Sequence, residues 1–117
     1  GAGIVSLSMG GQHQTPTALA AGNWLLAHPF RSPGELTGGY DMFIYSTYYC
    51  SQAAAQLGGR YWEQIFSRIV EVLLGYQSGD GSWPAEANLV AFGDEMTTAF
   101  AVLSLTPAYQ LLPVYQR

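Results

Sequence analysis

The stretch RYWEQIFSRIVEVLLGYQSGDGSW, residues 60–83, predicts one amphipathic helix and the glycine-rich turn that follows it. Its apolar residues recur at the spacing of a single helix face, and its polar residues fall on the opposite side. The apolar set is Trp62, Ile65, Phe66, Ile69, Val70, Leu73 and Tyr76. Arg68 and Glu71, three residues apart on the polar side, are placed to form an ion pair. We therefore expect a helix over residues 60–76 with one face in water.

A second amphipathic helix is predicted over residues 15–28. Thr15 suits the N-cap and Pro16 the first helical position, while Pro29 marks the end. Gly22, in the middle of this helix, lowers its propensity by about 1 kcal/mol relative to alanine.

Residues 42–59 and 96–116 contain no charged side chain. The alanine run at residues 53–55 favours a helix for the first segment, and a helix without charge on any face is a buried helix. Residues 58–59, both glycine, are a typical helix end. Residues 3–9 look like the end of another buried helix. The sequence therefore predicts an all-α fold in which buried and amphipathic helices alternate.

This alternation is typical of a helical-hairpin repeat. Thr47 and Thr98 hold equivalent places in the two uncharged segments, and residues 24–26 match residues 72–74 in the two amphipathic ones. A period of about 50 residues is what two helices and their loops need.

The composition limits what this chain can contact. Charged residues make up 10% of it, against roughly 25% in an average soluble domain. So few charges do not cover a free surface of this size, which favours contacts with further repeats or self-association, with an uncharged polar surface of Ser, Thr, Gln and Gly as the alternative. The net charge of −4 excludes a nucleic-acid partner, which requires a basic surface. The sequence has no apolar run long enough for a transmembrane segment, and it gives no indication of the cellular compartment.

Residues 77–83, QSGDGSW, resemble the Q-x(2-5)-G-x-W element, the QW motif, of squalene and oxidosqualene cyclases and their relatives. Gln77, Gly81 and Trp83 occupy the positions that define the motif. The resemblance implies a structural role, in which Gln77 caps a neighbouring helix end and stacks against Trp83.

Three further segments extend the resemblance over nearly the whole chain. Residues 45–49, 58–63 and 111–117 look like the C-terminal third of bacterial prenyltransferase and squalene oxidase repeat proteins. The resemblance implies an α/α toroid of the terpenoid cyclase type, a ring of five to seven helix hairpins whose inner helices line a cavity. Residues 1–117 would form a single domain with about two and a half hairpins, an incomplete ring. Since three or more repeats are usually needed to bury a continuous core, missing upstream repeats or self-association are expected.

Catalysis is not expected within this chain. Class II terpene cyclases use a D-x-D-D acid, and the nearest match is the pair Asp94 and Glu95. We interpret this pair as acids favoured at a helix N-terminus, with catalysis as the alternative, and both residues are also candidates for the cavity lining.

A metal site is not expected either. Protein prenyltransferases hold zinc through Asp, Cys and His, and here Asp41, Cys50 and His13 or His28 supply those residue types. In a helix, residues nine apart are separated by roughly 13 Å, too far for Asp41 and Cys50 to share one ion. No cofactor is expected.

Aromatic residues on the uncharged helices are the candidate ligand-binding set: Tyr45, Tyr48, Tyr49 and Phe100. The toroid resemblance implies that these rings face the cavity or the neighbouring helices. Aromatic walls attract carbocations and equally accommodate isoprenoid chains, whereas the alternative is ordinary core packing. Three hypotheses for function follow: a module for an isoprenoid or other hydrophobic ligand, a protein-interaction scaffold, and part of a cyclase whose acid lies upstream.

Overall fold

The computed structural model describes residues 1–29, 42–86 and 89–109, and these ranges contain helices and turns but no β-strand. The elements are α1 (Ala2–Met9), α2 (Pro16–Ala27), α3 (Phe43–Leu57), α4 (Gly59–Tyr61), a π-helical turn (Trp62–Phe66), α5 (Ser67–Tyr76) and α6 (Gly93–Leu105). Short 3-10 turns over Val90–Phe92 and Thr106–Tyr109 flank α6. The predicted all-α class is confirmed.

Local sequence signals account for the start of α2 and the end of α3. The Thr15 hydroxyl accepts a hydrogen bond from the Ala18 amide at 3.4 Å, and Pro16 begins α2 as predicted. Gly58 ends α3 with φ +69°, a conformation that side chains with a Cβ rarely adopt. The chain then turns directly into α4, which continues through the π turn into α5 without a break.

Helices α1, α3 and α6 lie side by side and run in the same direction. Gln52 of α3 donates to the carbonyl of Leu103 in α6 across 3.3 Å, so that equivalent ends of the two helices are level. Gly1, before α1, lies against the backbone of Cys50, and Gln14, after α1, donates to the Leu57 carbonyl at the end of α3. We call these three helices the inner layer.

Helices α2 and α5 form the outer layer. Tyr61, before the π turn, contacts Asn23 of α2 through a hydrogen bond of 2.9 Å, and further along the chain Leu26 and Ile65 line one groove. The two outer helices therefore also run in one direction. Gly22 permits this packing, because a Cβ there would lie 2.7 Å from Leu57 Cδ1.

The buried apolar side chains of both layers form one continuous cluster, which contains Ile4, Ala18, Ile44, Ala53, Ala54, Ile69, Leu73 and Ala101 at 0–2% exposure. Burial is deepest on α3, which lies between α1 and α6. The two inner helices on either side of α3, α1 and α6, are less buried than the sequence predicts. In α1 only Ile4 is buried, and α6 exposes Val102 and Leu103, because each has an inner neighbour on one side only among the described residues.

The C-terminal boundary also differs from the expected helix over residues 96–116. Helix α6 begins at Gly93 and ends at Leu105, and residues 110–116 lie outside the described ranges. The predicted Arg68–Glu71 ion pair is present, with nitrogen and oxygen 2.7 Å apart.

The repeat register is also corrected by burial. The buried counterpart of Thr47 is Thr97, 50 residues later, at 0% and 1% exposure. Thr98 instead accepts a hydrogen bond from the backbone amide of Trp83.

Candidate functional site

The four predicted aromatic residues form one cluster between α3 and α6. Tyr45, Tyr48 and Tyr49 share one side of α3, and Phe100 approaches them from α6. Ring centroids are 4.8 Å apart for Tyr45–Tyr49, 5.0 Å for Tyr48–Tyr49, 5.5 Å for Tyr48–Phe100 and 6.0 Å for Tyr45–Phe100. All four pairs meet edge to face, which is a favourable geometry for aromatic rings.

The cluster is open at one end. Tyr45 is 37% exposed and Met42, at the N-cap of α3, is 43% exposed, whereas Tyr48, Tyr49 and Phe100 are half-buried. A hydrogen bond with Tyr49 raises the pKa of Tyr45 above its ordinary value of 10.0, and partial desolvation adds to the effect. The neutral phenol is thus the favoured form of Tyr45. The arrangement presents an apolar, aromatic surface with hydroxyl groups at its edge.

Asp94 and Glu95 lie in the first turn of α6 and are exposed. Asp94 Oδ1 accepts a hydrogen bond of 2.8 Å from the backbone amide of Ala85. The Glu95 carboxylate folds back over Gly93, where a side chain would collide with it. Both positions fit acids at a helix N-terminus, since the unpaired amides there carry partial positive charge.

The QW-like segment forms a closed turn after α5. Gln77 Nε2 donates to the carbonyl of Gly81 across 2.8 Å, and Gly81 has φ +90°. Trp83 is 4% exposed, and its indole Nε1 donates to the carbonyl of Leu73 across 2.8 Å. The family resemblance gave the helix-capping role to the glutamine. In this chain Trp83 takes a carbonyl of the last turn of α5, while Gln77 closes the loop on itself.

The residues after Trp83 tie the inner helices together. The Trp83 amide donates to Thr98 Oγ1 across 3.0 Å, and the next contact is that of Ala85 with Asp94. Glu86 then accepts hydrogen bonds from the backbone amides of Phe43 and Ile44, the first two residues of α3. Residues 83–86 therefore contact α3, α5 and α6, and they hold the N-terminal ends of α3 and α6 beside one another.

Glu86 is the residue of this region that the sequence did not reveal. Its side chain is 6% exposed, which is rare for a glutamate and is explained by its two amide partners at a helix N-terminus. The only local signal is a lone acid in the otherwise uncharged run from Trp83 to Gly93. A cap that comes from 42 residues away has no spacing rule by which to find it.

A shallow groove of about 200 Å³ lies on the outer layer, away from the aromatic cluster. Its walls come from α2 and from the segment around the π turn, and it is lined by Leu25, Leu26, Pro29, Gln64, Ile65 and Arg68. Two stacked ring pairs also belong to this layer, Trp24 with His28 at 4.0 Å and Trp62 with Phe66 at 3.9 Å. Among the described residues that line the groove, Arg68 is the charged one, and no set of charged groups converges there.

The residue types considered for zinc are separated in the fold. Cys50 is buried in the inner layer, and desolvation raises the pKa of its thiol. His28 stacks on exposed Trp24 in the outer layer, and Asp41 lies outside the described residues. Within residues 1–29, 42–86 and 89–109, three or more His, Cys, Asp or Glu side chains do not converge as a metal site requires. None of the helices in these ranges has the length and apolar character needed to cross a bilayer.

The fold and the cluster define an all-α protein with two layers of helices and an aromatic surface on its inner layer. Comparisons with protein-family models, with curated proteins and with solved structures give no match.

Proposed function

We propose that this chain is a terpenoid cyclase-like repeat module, part of an α/α toroid, that accommodates an isoprenoid or another hydrophobic ligand against the aromatic cluster. The observation that carries the proposal is the open edge-to-face cluster of Tyr45, Tyr48, Tyr49 and Phe100 between two parallel inner helices. The chain supplies the wall of the site and no catalytic acid.

The layered arrangement supports this proposal. In a ring of helix hairpins the inner helices run in one direction and the outer helices in another, and α1, α3 and α6 share one direction here. The aromatic cluster lies on two neighbouring inner helices, the position from which rings would face a central cavity.

The chemistry of the cluster also supports a hydrophobic ligand. The partly exposed rings offer broad apolar faces, which bind alkene chains by burial of apolar area. The ring contacts of the cluster involve no cation or carboxylate among the described residues. Asp94 accepts a hydrogen bond from the backbone amide of Ala85. In the alternative hypothesis of a cyclase whose acid lies upstream of this chain, the same aromatic cluster would line the active site.

The experiment that tests the proposal is native mass spectrometry of the protein purified from its source, followed by lipid extraction. A co-purifying isoprenoid supports the proposal. Binding of radiolabelled farnesol, a simple isoprenoid alcohol, is then measured for the unchanged protein and for Tyr45→Ala and Phe100→Ala. We expect each substitution to weaken binding about tenfold, equivalent to about 1.4 kcal/mol.

Trp24→Ala provides the matched control. Trp24 is an exposed aromatic residue of the outer layer, at 59% exposure, and its removal should leave farnesol binding unchanged. Absence of any bound lipid together with no farnesol binding would overturn the proposal. An equal effect of the Trp24 and Tyr45 substitutions would also contradict it, because binding would then be a general property of exposed rings.

A further inference from the structure

The surface of α6 on the side away from α3 is the repeat equivalent of the α3 surface that α6 covers. The correspondence follows from the buried stripe of small residues that the two helices share at a spacing of 50 residues: Thr47, Ser51 and Ala54 in α3, and Thr97, Ala101 and Ser104 in α6. Gln52 of α3 is 3% exposed because α6 covers it, and its amide donates to the Leu103 carbonyl. Its counterpart 50 residues later, Val102, is 46% exposed.

This exposed side of α6 is apolar. Leu103 beside Val102 is 38% exposed, and Ala99, one turn earlier, is exposed as well. Where α3 presents a polar amide to its neighbour, α6 presents two branched aliphatic side chains to solvent. Such a surface is stabilised when another helix covers it.

The opposite end of the inner layer is formed by α1. This helix packs on α3 through Ile4, and the residues exposed on its surface include Ala2 and Ser6, four residues apart, with Gly10 following at the C-cap. A Cβ added at Gly3 would meet nothing within 4 Å. Small residues at one-turn spacing let a second helix approach closely. The buried small residues of α3 and α6 have the same spacing within the chain.

We propose that the α6 surface of Ala99, Val102 and Leu103 docks on α1 of a second copy of this chain, in the parallel orientation that the inner helices already share. The contact would continue an interface that the chain makes twice, α1 with α3 and α3 with α6. It joins two different surfaces, so each copy keeps one surface for a further copy.

Charge favours this pairing over a parallel contact between two α6 helices. α6 carries Asp94 and Glu95 in its first turn, and α1 carries no charged side chain. Two α6 helices packed in parallel would bring four carboxylates to one end of the contact. Packing α6 on α1 avoids that repulsion.

The test uses sedimentation velocity over a wide range of protein concentration. The unchanged chain should show a sedimentation coefficient that rises with concentration. The double substitution Val102→Glu with Leu103→Glu alters only the α6 surface, and Gly3→Glu with Ser6→Glu alters only the α1 surface. Each variant should lose the rise, because each lacks one of the two surfaces.

Mixing the two variants is the decisive measurement. One variant keeps an intact α1 surface and the other an intact α6 surface, so the mixture should form a one-to-one heterodimer that does not grow further. Leu74→Glu, at an exposed position of α5 in the outer layer, is the control and should associate like the unchanged chain. Far-UV circular dichroism verifies that each variant retains its helices.

A single monomeric species of the unchanged chain at every concentration would overturn the proposal. So would association that survives both surface variants, or a mixture that remains monomeric. None of these results affects the ligand proposal, which depends on the aromatic cluster.

Discussion

The indole nitrogen of Trp83 donates a hydrogen bond of 2.8 Å to the carbonyl oxygen of Leu73, ten residues earlier in the chain. Through this contact, the turn that leaves α5 satisfies a carbonyl in the last turn of that same helix. The bond is buried, so water does not replace it when it is lost.

Trp83→Phe retains an aromatic ring and removes the donor. We expect the free energy of unfolding to fall by about 2–3 kcal/mol, since a buried carbonyl loses its partner and some packing is lost. Urea unfolding followed by circular dichroism measures the change. Gln77→Ala, which removes an exposed hydrogen bond, should cost clearly less. Equal losses for the two substitutions would contradict the role given to the indole.

Glu86 caps α3 with its carboxylate, and its substitutions should separate charge from shape. Glu86→Ala leaves the amides of Phe43 and Ile44 without this acceptor and should cost about 2–3 kcal/mol of stability. Glu86→Gln retains one acceptor oxygen and should cost less. Thermal unfolding of the two variants, compared with Glu95→Gln at an exposed position, tests the order. An alanine variant as stable as the unchanged protein would refute the cap.

The hydroxyls of Thr47 and Thr97 are buried and have no hydrogen-bond partner among the residues that the structure describes. Replacing both with valine removes the desolvation cost at almost constant shape, so stability should stay level or rise by about 1 kcal/mol per site. Ser104→Ala is the control, because the Ser104 hydroxyl donates to the Phe100 carbonyl at 2.7 Å and its removal should destabilise. Calorimetric melting temperatures distinguish an unchanged or higher stability of the valine variants from a lower stability of the alanine variant. Destabilisation by both valine substitutions would show that these hydroxyls are satisfied in solution.

Two helical glycines should respond in opposite directions to alanine. At Gly22 a Cβ would lie 2.7 Å from Leu57 Cδ1 and 2.8 Å from Tyr61 Cε1, both on buried side chains, so Gly22→Ala should cost about 1–2 kcal/mol. At Gly75 a Cβ meets nothing within 4 Å, and Gly75→Ala should stabilise α5 by up to about 1 kcal/mol. Chemical denaturation measures the free energy of unfolding of both variants. The packing of α2 described above is wrong if both alanines stabilise.

The Tyr45 phenol should titrate above its ordinary pKa of 10.0, chiefly because of its hydrogen bond with Tyr49. A raised pKa in the folded state means that the folded protein holds this proton more tightly than the unfolded chain. The associated stability is present below pH 10.0 and is lost as the pH rises through the higher folded pKa. NMR titration of tyrosine ring carbons, with Tyr45→Phe for assignment, measures the value. Tyr49→Phe should lower the pKa of Tyr45, and an unchanged titration would refute the hydrogen bond as the cause.

The sequence predicted those features that depend on local pattern. The amphipathic periodicity of residues 60–76 and the Thr15–Pro16 start signal found two helices nearly to the residue, and the uncharged alanine-rich run found α3. The aromatic set was predictable because Tyr45, Tyr48 and Tyr49 share one helical side, and the repeat placed Phe100 on the neighbouring helix.

Features that depend on contacts distant in sequence were not predictable. In the sequence, Gly22 only lowers the helix propensity of α2. In the fold, its lack of a side chain lets α2 pack closely on Leu57 and Tyr61. The absence of charge predicted full burial of α6, but the hydropathy of Val102 and Leu103 does not reveal whether a partner helix is present. The toroid and its ligand remain a prediction from the family resemblance.

The ties made by residues 83–86 have a consequence for selectivity. Asp94 and Glu86 connect the beginnings of α6 and α3 to consecutive linker residues, so spreading the two helices apart at that end would break these hydrogen bonds. Under the proposed function, we expect the aromatic cluster to adapt to its ligand by rotation of the tyrosine side chains. For the proposed hydrophobic ligand, we therefore expect a slender chain to fit this surface better than a bulky, branched one.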